Sequence, residues 1–369
     1  MSLQHRARPG DGAPPTGRYP AAVRRVGARP ASLVPLALGG VLAVSVVLAL
    51  TIGPADISPL QVARSAAERV AGFGTSPAGG DAGALSSVQE AILWQLRLPR
   101  LLTAAFVGAG LALSGTVMQA LTRNPLADPY LLGLSSGASL GAVSVLLLGA
   151  AVVLPLAAFA GAMAALVLTL SLAAAAGAIS PSRTVLAGLA VSSAASALTS
   201  FVIFYSAKGD SYREVLNWLL GSLAGSTWTS VAITAAAFLL AGIPILLTGG
   251  LLDGFSFGDN AAGALGLNVP ALRWVLLAGT AVLTGAMVSV SGSIGFVGLI
   301  LPHAVRLLTG ARHRVLLPAV ALAGAVFLVW ADTLARTVFE PREIPVGIVT
   351  ALIGAPVFAV LLWRRKAQS

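Results

Sequence analysis

The 369-residue sequence contains no cysteine, which removes disulfides, thiolate metal sites and thiol nucleophiles together. Charged residues make up 10% of it, against roughly 25% in an ordinary soluble domain. Lysine is nearly missing: Lys208 is followed by Gly209 and Lys366 by Ala367, and there are no others. A phosphate-binding loop ends in Gly-Lys-Ser/Thr because the lysine reaches the terminal phosphates and the hydroxyl holds magnesium. Nucleotide hydrolysis therefore needs a separate subunit. Acids and histidines are scarce inside the apolar stretches, which speaks against a carrier whose coupling proton rides on an intramembrane Asp, Glu or His. The alternating ten-residue pattern of a membrane β-barrel is absent as well.

Apolar residues make up 57% of the chain, and mean hydropathy is +0.90. Stretches close to the roughly 20 residues that a helix needs to cross a bilayer recur along it. They lie at about 34 to 53, 98 to 121, 131 to 150, 152 to 176, 184 to 205, 226 to 249, 273 to 291, 294 to 309, 315 to 335 and 345 to 363. The reading is an all-α polytopic membrane protein of about ten spans. Abundant Ala and 41 Gly suit helices that pack backbone to backbone. Residues 1 to 33 are rich in Arg and Pro without an apolar run, so they are expected to form a disordered cytoplasmic tail that meets anionic lipid heads. Residues 34 to 363 form the transmembrane domain and 364 to 369 a short cytoplasmic C-terminus.

With the tail inside, alternation of ten spans puts 15 of the 23 Lys and Arg residues on the cytoplasmic side, and 9 of the 13 acids on the other. That obeys the positive-inside rule and places both termini in the cytoplasm. The charge is thus a topology signal, not a nucleic-acid one. Outside, residues 54 to 97 are expected to hold a short surface helix from Ser58-Pro59 to Val70, then a loop. Inside, residues 250 to 272 are bounded by glycines and read as helical from Asp259 to Leu267, with Asp259 placed to suit the helix dipole. Exposed Ala and Leu there call for a partner.

Weaker signals follow. Ser114-Gly115 precedes Pro125 by the same intervals at which Ser291-Gly292 precedes Pro302, which suggests an inverted repeat of spans 2 to 5 and 7 to 10. Ser192, Ser196 and Thr199 share one face of span 5 and are candidates for a pathway lining, with packing as the alternative. Asp332 lies one turn before Arg336, where an i,i+4 ion pair is expected, and His303 reads as a packing residue. Gly133-Leu134-Ser135-Ser136-Gly137 matches G-x-S-x-G, the serine-hydrolase elbow, but it opens a membrane helix where that motif needs a preceding strand. The spacing of Gly137 and Gly141 favours close helix packing instead. No catalytic residue or metal site is assigned.

The stretches LRLPRLLTAAFVGAGLALSGTVMQALTRNPLADPYLLGLSSGASLG (96 to 141), SGSIGFVGLILPHAVRLLTGARHRVLL (291 to 317) and ADTLARTVFEPREIPVGIVTALIGAPVFAVLL near the C-terminus resemble the FecCD family of ABC-transporter permeases. These are type II importers of iron siderophores, haem and vitamin B12. The resemblance runs from about Leu33 to Trp363. It implies ten spans, a dimer of permease copies or homologues, two cytoplasmic ATPase subunits that carry the ATP and magnesium, and a substrate-binding protein or lipoprotein docking outside. It further implies a coupling segment at Asp259, Ala262, Leu265, Gly266 and Leu267, and a pathway along spans 5 and 10, matching Ser192, Ser196 and Thr199. Docking arginines fall at Arg97, Arg100 and Arg336. The expected function is import of iron-siderophore complexes across a bacterial inner membrane, without a cofactor in this chain. Haem or cobalamin import is the alternative within the fold. An intramembrane serine hydrolase using Ser135 and a secondary carrier are the alternatives outside it.

Overall fold

The computed structural model describes residues 33–70, 85–149, 152–175, 181–209, 211–255, 258–264, 266 and 268–366. Of the expected tail at 1 to 33 only Leu33 is described, as the first residue of a helix, and of the expected C-terminus at 364 to 369 the first three residues continue the last helix. Residues 71 to 84 of the expected outside loop and the last three residues lie outside the described set. The secondary structure of the described residues is helical, with no strand among them.

Among the described residues seven helices are long and apolar enough to cross a bilayer, and three shorter apolar ones bring the spans to ten. They are α1 (Leu33–Thr51), α3 to α4 (Ser87–Ala91 and Leu98–Thr122), α5 (Leu134–Leu148), α6 (Leu154–Ala175), α7 (Pro181–Ser206), α9 to α10 (Trp228–Ala237 and Ile243–Leu247), α13 (Val269–Ser291), α14 (Val297–Thr309), α15 (His313–Thr337) and α16 (Val346–Lys366). Between them lie α2 (Pro59–Val70), α8 (Ser211–Leu219), α11 (Gly249–Phe255) and α12 (Asp259–Ala264). The ten sequence segments match these spans one to one, and α2 is the surface helix expected after Ser58-Pro59.

Local chemistry sets the boundaries that the apolar pattern misses. A capping box of Ser86 and Gln89 starts the second span at Ser87, before the apolar stretch begins. Its α3 and α4 portions join through a π-helical stretch, Ile92–Arg97, next to Pro99, which cannot donate a backbone hydrogen bond. A second π stretch, Phe238–Gly242, lies just before Pro244 in the sixth span.

α4 is the central element. It packs against α15, α13, α14 and α9, while α5 packs on α6 and α7. Exchanging spans 2 to 5 for spans 7 to 10 reproduces these pairings: α4 with α15 and α13 with α6, α4 with α14 and α13 with α5, α5 with α6 and α14 with α15, and α5 with α7 and α14 with α16. The inverted repeat is therefore present in the packing. The Ser-Gly echo is not its marker, because Ser114 and Gly115 lie within α4 whereas Ser291 ends α13 and Gly292 caps it. The equivalent points are the left-handed residues that open the short third and eighth spans, Gly133 before α5 and Phe296 before α14.

Glycine makes the central contact possible. A Cβ on Gly108 of α4 would lie 2.1 Å from the carbonyl oxygen of Gly324 on α15, and one on Gly324 would lie 2.3 Å from that of Gly108. Likewise Gly137 and Gly141 of α5 meet Gly161 and Ala157 of α6. Since backbone and not a flexible side chain is in the way, the crowding cannot relax locally. Gly324→Leu is expected to destabilise the bundle by about 3 kcal/mol or more, read as loss of the monodisperse peak in fluorescence-detected size exclusion. An unchanged profile would refute the contact.

Candidate functional site

At one end of the bundle three arginines converge. α1 ends there, and its last carbonyls lack intrahelical partners and carry the negative end of the helix dipole. α1 has no basic residue in its own last turn. Arg97 supplies the charge from the second span, donating from Nη1 to the Leu50 carbonyl at 2.7 Å and from Nη2 to that of Ala55 at 2.9 Å. Arg336 of α15 donates to the Ala49 carbonyl. Both side chains are buried. Gly53, at φ +137°, leaves the room, since a Cβ there would lie 2.9 Å from Arg97 Nη2.

Arg100 does different work. Its Nε and Nη2 hold Asp332 at 2.8 to 3.1 Å, and its Nη1 holds Glu343 at 2.7 Å. Asp332 thus pairs across the bundle with Arg100, not with Arg336 one turn away as the sequence suggested. The reason is geometric: Arg336 extends toward the α1 terminus, while the planar fork of Arg100 meets the carboxylate side-on. A cavity of about 720 Å³ opens beside these groups, lined among others by Arg97, Arg100, Arg336, Ser226, Glu340 and Glu343. Of the three arginines expected to dock a partner, two are engaged by main-chain carbonyls and one by two acids.

The same end carries a second tie. Trp94 donates to Ser65 Oγ at 2.9 Å, Ser65 donates to Glu90 at 3.1 Å, and the Arg69 guanidinium sits 4.4 Å from the Trp94 ring centroid. These contacts seat α2 on the second span.

At the opposite end lies the coupling candidate. α12 covers Asp259–Ala264, and the expected continuation to Leu267 is cut by Gly266, a turn residue at φ +85°. Leu265 and Leu267 fall outside the described residues. Asp259 accepts from Arg273 Nη2 through both oxygens at 3.0 Å, which fastens the start of α12 to α13. Ala262, expected on an exposed face, is fully buried, while Asn260, Gly263, Ala264 and Gly266 are exposed. The helical period puts the outward face one and two residues further on. Asp253 of α11 accepts from the backbone N–H of His313 at 2.8 Å and contacts its Nδ1 at 2.8 Å, so α15 starts on this segment too. At the turn before α5, Asp128 caps the short helix Pro129–Leu132 by accepting from Tyr130 N–H at 2.8 Å. Burial pushes its carboxyl up to about 6.

The hydroxyl stripe of α7 is divided. Ser192 is half-buried, Ser196 is exposed and donates to Ser136 of α5 at 3.3 Å, and Thr199 is buried and donates to the Ala195 carbonyl of its own helix. Thr199 is in a packing position. Ser135 exchanges a hydrogen bond with the hydroxyl of Ser293, just before α14. Its partner is a second hydroxyl, not an imidazole, and the strand that a hydrolase elbow requires is not formed. α8, with half-buried Trp218 and exposed Tyr212 and Leu216, was not foreseen, although Tyr212, Val215, Leu216 and Leu219 stand at the helical spacing.

Ten spans in two inverted halves, with polar clusters at both ends of the bundle, define a permease of the type II ABC-importer fold. A family model for the FecCD transport family matches residues 41–364. The Fe(3+) dicitrate transport system permease protein FecD of Escherichia coli is 44% identical over 74% of this chain and 86% of its own. The vitamin B12 import system permease protein BtuC of Salmonella paratyphi A is 42% identical over 75% and 85%. The uncharacterised ABC transporter permease protein YvrB of Bacillus subtilis is 41% identical over 88% and 91%. A solved inward-facing conformation of a metal-chelate type ABC transporter superposes with a TM-score of 0.76 at 34% identity, covering 90% of this chain and 99% of that one. The chain belongs to the FecCD transport family. It is a multi-pass membrane protein and an ABC-importer permease.

Arg97→Met is expected to leave the Leu50 carbonyl at the end of α1 and the Ala55 carbonyl in the loop after it without their charged donor, and to cost about 2 to 4 kcal/mol of stability. The exposed Arg342→Gln should stay within about 0.5 kcal/mol. Thermal unfolding in detergent distinguishes them, and equal midpoints would refute the clamp.

Proposed function

We propose that this permease imports iron-siderophore complexes across a bacterial inner membrane, with both termini in the cytoplasm. The observation that carries this reading is the joint similarity to FecD, named for ferric dicitrate transport, over 74% of the chain, and to a solved transporter described as of metal-chelate type over 90% of it. In the proposed complex two permease copies or homologues face each other through the exposed sides of α7 and α16, where Ser192 and Ser196 contribute to the pathway. Two ATPase subunits bind ATP and magnesium and receive α12 and the turn after it, where the outward residues Asn260, Gly263, Ala264 and Gly266 form the seat. The Asp259–Arg273 pair then passes motion from α12 to α13, which packs on α4 and α6. A substrate-loaded binding protein docks at the arginine-lined cavity. There Arg100 meets its acids, and Arg97 and Arg336 add positive potential from behind.

Cobalamin import is the second reading, favoured by relatives named for vitamin B12 transport at comparable identity. Uptake into proteoliposomes containing the permease, its ATPase and its binding protein separates the two. Labelled ferric siderophore is expected to accumulate only with internal ATP, while labelled cyanocobalamin does not. Accumulation of cyanocobalamin alone would install the second reading, and accumulation of either without ATP would refute both.

A further inference from the structure

Three acids of unequal standing surround Arg100: Glu340 and Glu343 line its cavity, and Asp332 pairs with it outside that lining. Asp332 has a side chain only 1% exposed and grips Arg100 along two edges. Its departure would strand a buried guanidinium. Glu340 is exposed, lines the cavity and makes no ion pair among the described residues. Glu343 stands between them, 46% exposed at its side chain and bound to Arg100 through Nη1 alone. It is therefore the exchangeable ligand of that arginine.

Its place in the chain gives the exchange a consequence. Glu343 belongs to the turn that joins α15 to α16. Ile344 N–H donates to the Ala335 carbonyl at 3.1 Å, and Gly347 N–H donates to the Gly221 carbonyl, just after α8, at 3.2 Å. Beside these two main-chain bonds, the Glu343–Arg100 pair ties the side chain of the same turn to α4. We propose that Glu343 is a stand-in carboxylate. It occupies the outward edge of Arg100 in the resting permease until an acidic side chain of the binding protein replaces it, and the replacement frees the α15–α16 turn. Swapping one part-solvated carboxylate for another on the same donor is close to neutral in energy, so the internal acid acts as a competitor. It also makes docking report directly to one wall of the pathway. This inference rests on the docking reading given above, and the test separates the two.

The affinity of the reconstituted importer is measured for the binding protein that supports its uptake. Glu343→Gln is expected to tighten binding roughly fivefold, which is about 1 kcal/mol. Glu340→Gln removes the same charge from the same turn without touching Arg100, and is expected to change affinity by less than twofold. If the wild type does not bind at the arginine-lined face at all, so that Arg100→Gln has no effect, the docking reading fails. If it binds there and Glu343→Gln matches Glu340→Gln, the stand-in fails alone. A second readout covers altered folding. Because the native chain has no cysteine, a spin label at Arg342→Cys reports only the turn. Its mobility should rise when the binding protein docks and should already be high in the Glu343→Gln background. Mobility that does not change on docking would overturn the proposal.

Discussion

How closely α4 can be approached governs the rest of this molecule. In a bilayer no water competes for apolar surface, so helices gain from contact only where their backbones come near each other. The second span is the most buried of the long spans, and its glycines admit α15 at one level and α14 at another. α15 then brings Asp332 and Arg336 to the end where Arg97 and Arg100 wait, and the clamp on α1 follows. A bulkier residue at Gly108 or Gly324 would separate the groups that make the ion cluster, so the polar end depends on the apolar middle.

Charge is used sparingly, and several of the described charged groups answer helix ends. Two guanidiniums answer the carbonyl end of α1, Asp253 answers the amide end of α15, and Asp259 opens α12 while holding Arg273. Such positions serve two needs together, satisfying groups that a helix cannot satisfy itself and tying one span to another. The ties at the α12 end join α12 to α13 and α11 to α15. At the other end they join α1, α4, α15 and the turn into α16.

Much of the fold was legible. Ten apolar runs gave ten spans because period and length are local properties, and the Ser58-Pro59 start and the glycines bounding α12 could be read from their own neighbourhoods. Pairings across long separations could not. Arg100 and Asp332 are 232 residues apart, and from the sequence Arg336 looked the natural partner because it lay one turn away. Ala262 was misplaced for a similar reason: composition marked the segment as exposed, but which face turned outward depended on how α12 lies on its neighbours. The eighth span began late because Phe296 takes a left-handed conformation that no apolar pattern announces, and its counterpart at Gly133 was recognisable only as a glycine.

In the proposed function, ATP-driven motion enters through α12 and reaches the pathway through the Asp259–Arg273 pair. The direct measurement is the ratio of ATP hydrolysed to substrate accumulated in proteoliposomes, for the wild type and for Asp259→Asn. Loss of the pair should leave the importer assembled and hydrolysing ATP while uptake falls several-fold, so the ratio rises. A ratio equal to that of the wild type, with both rates intact, would contradict the account.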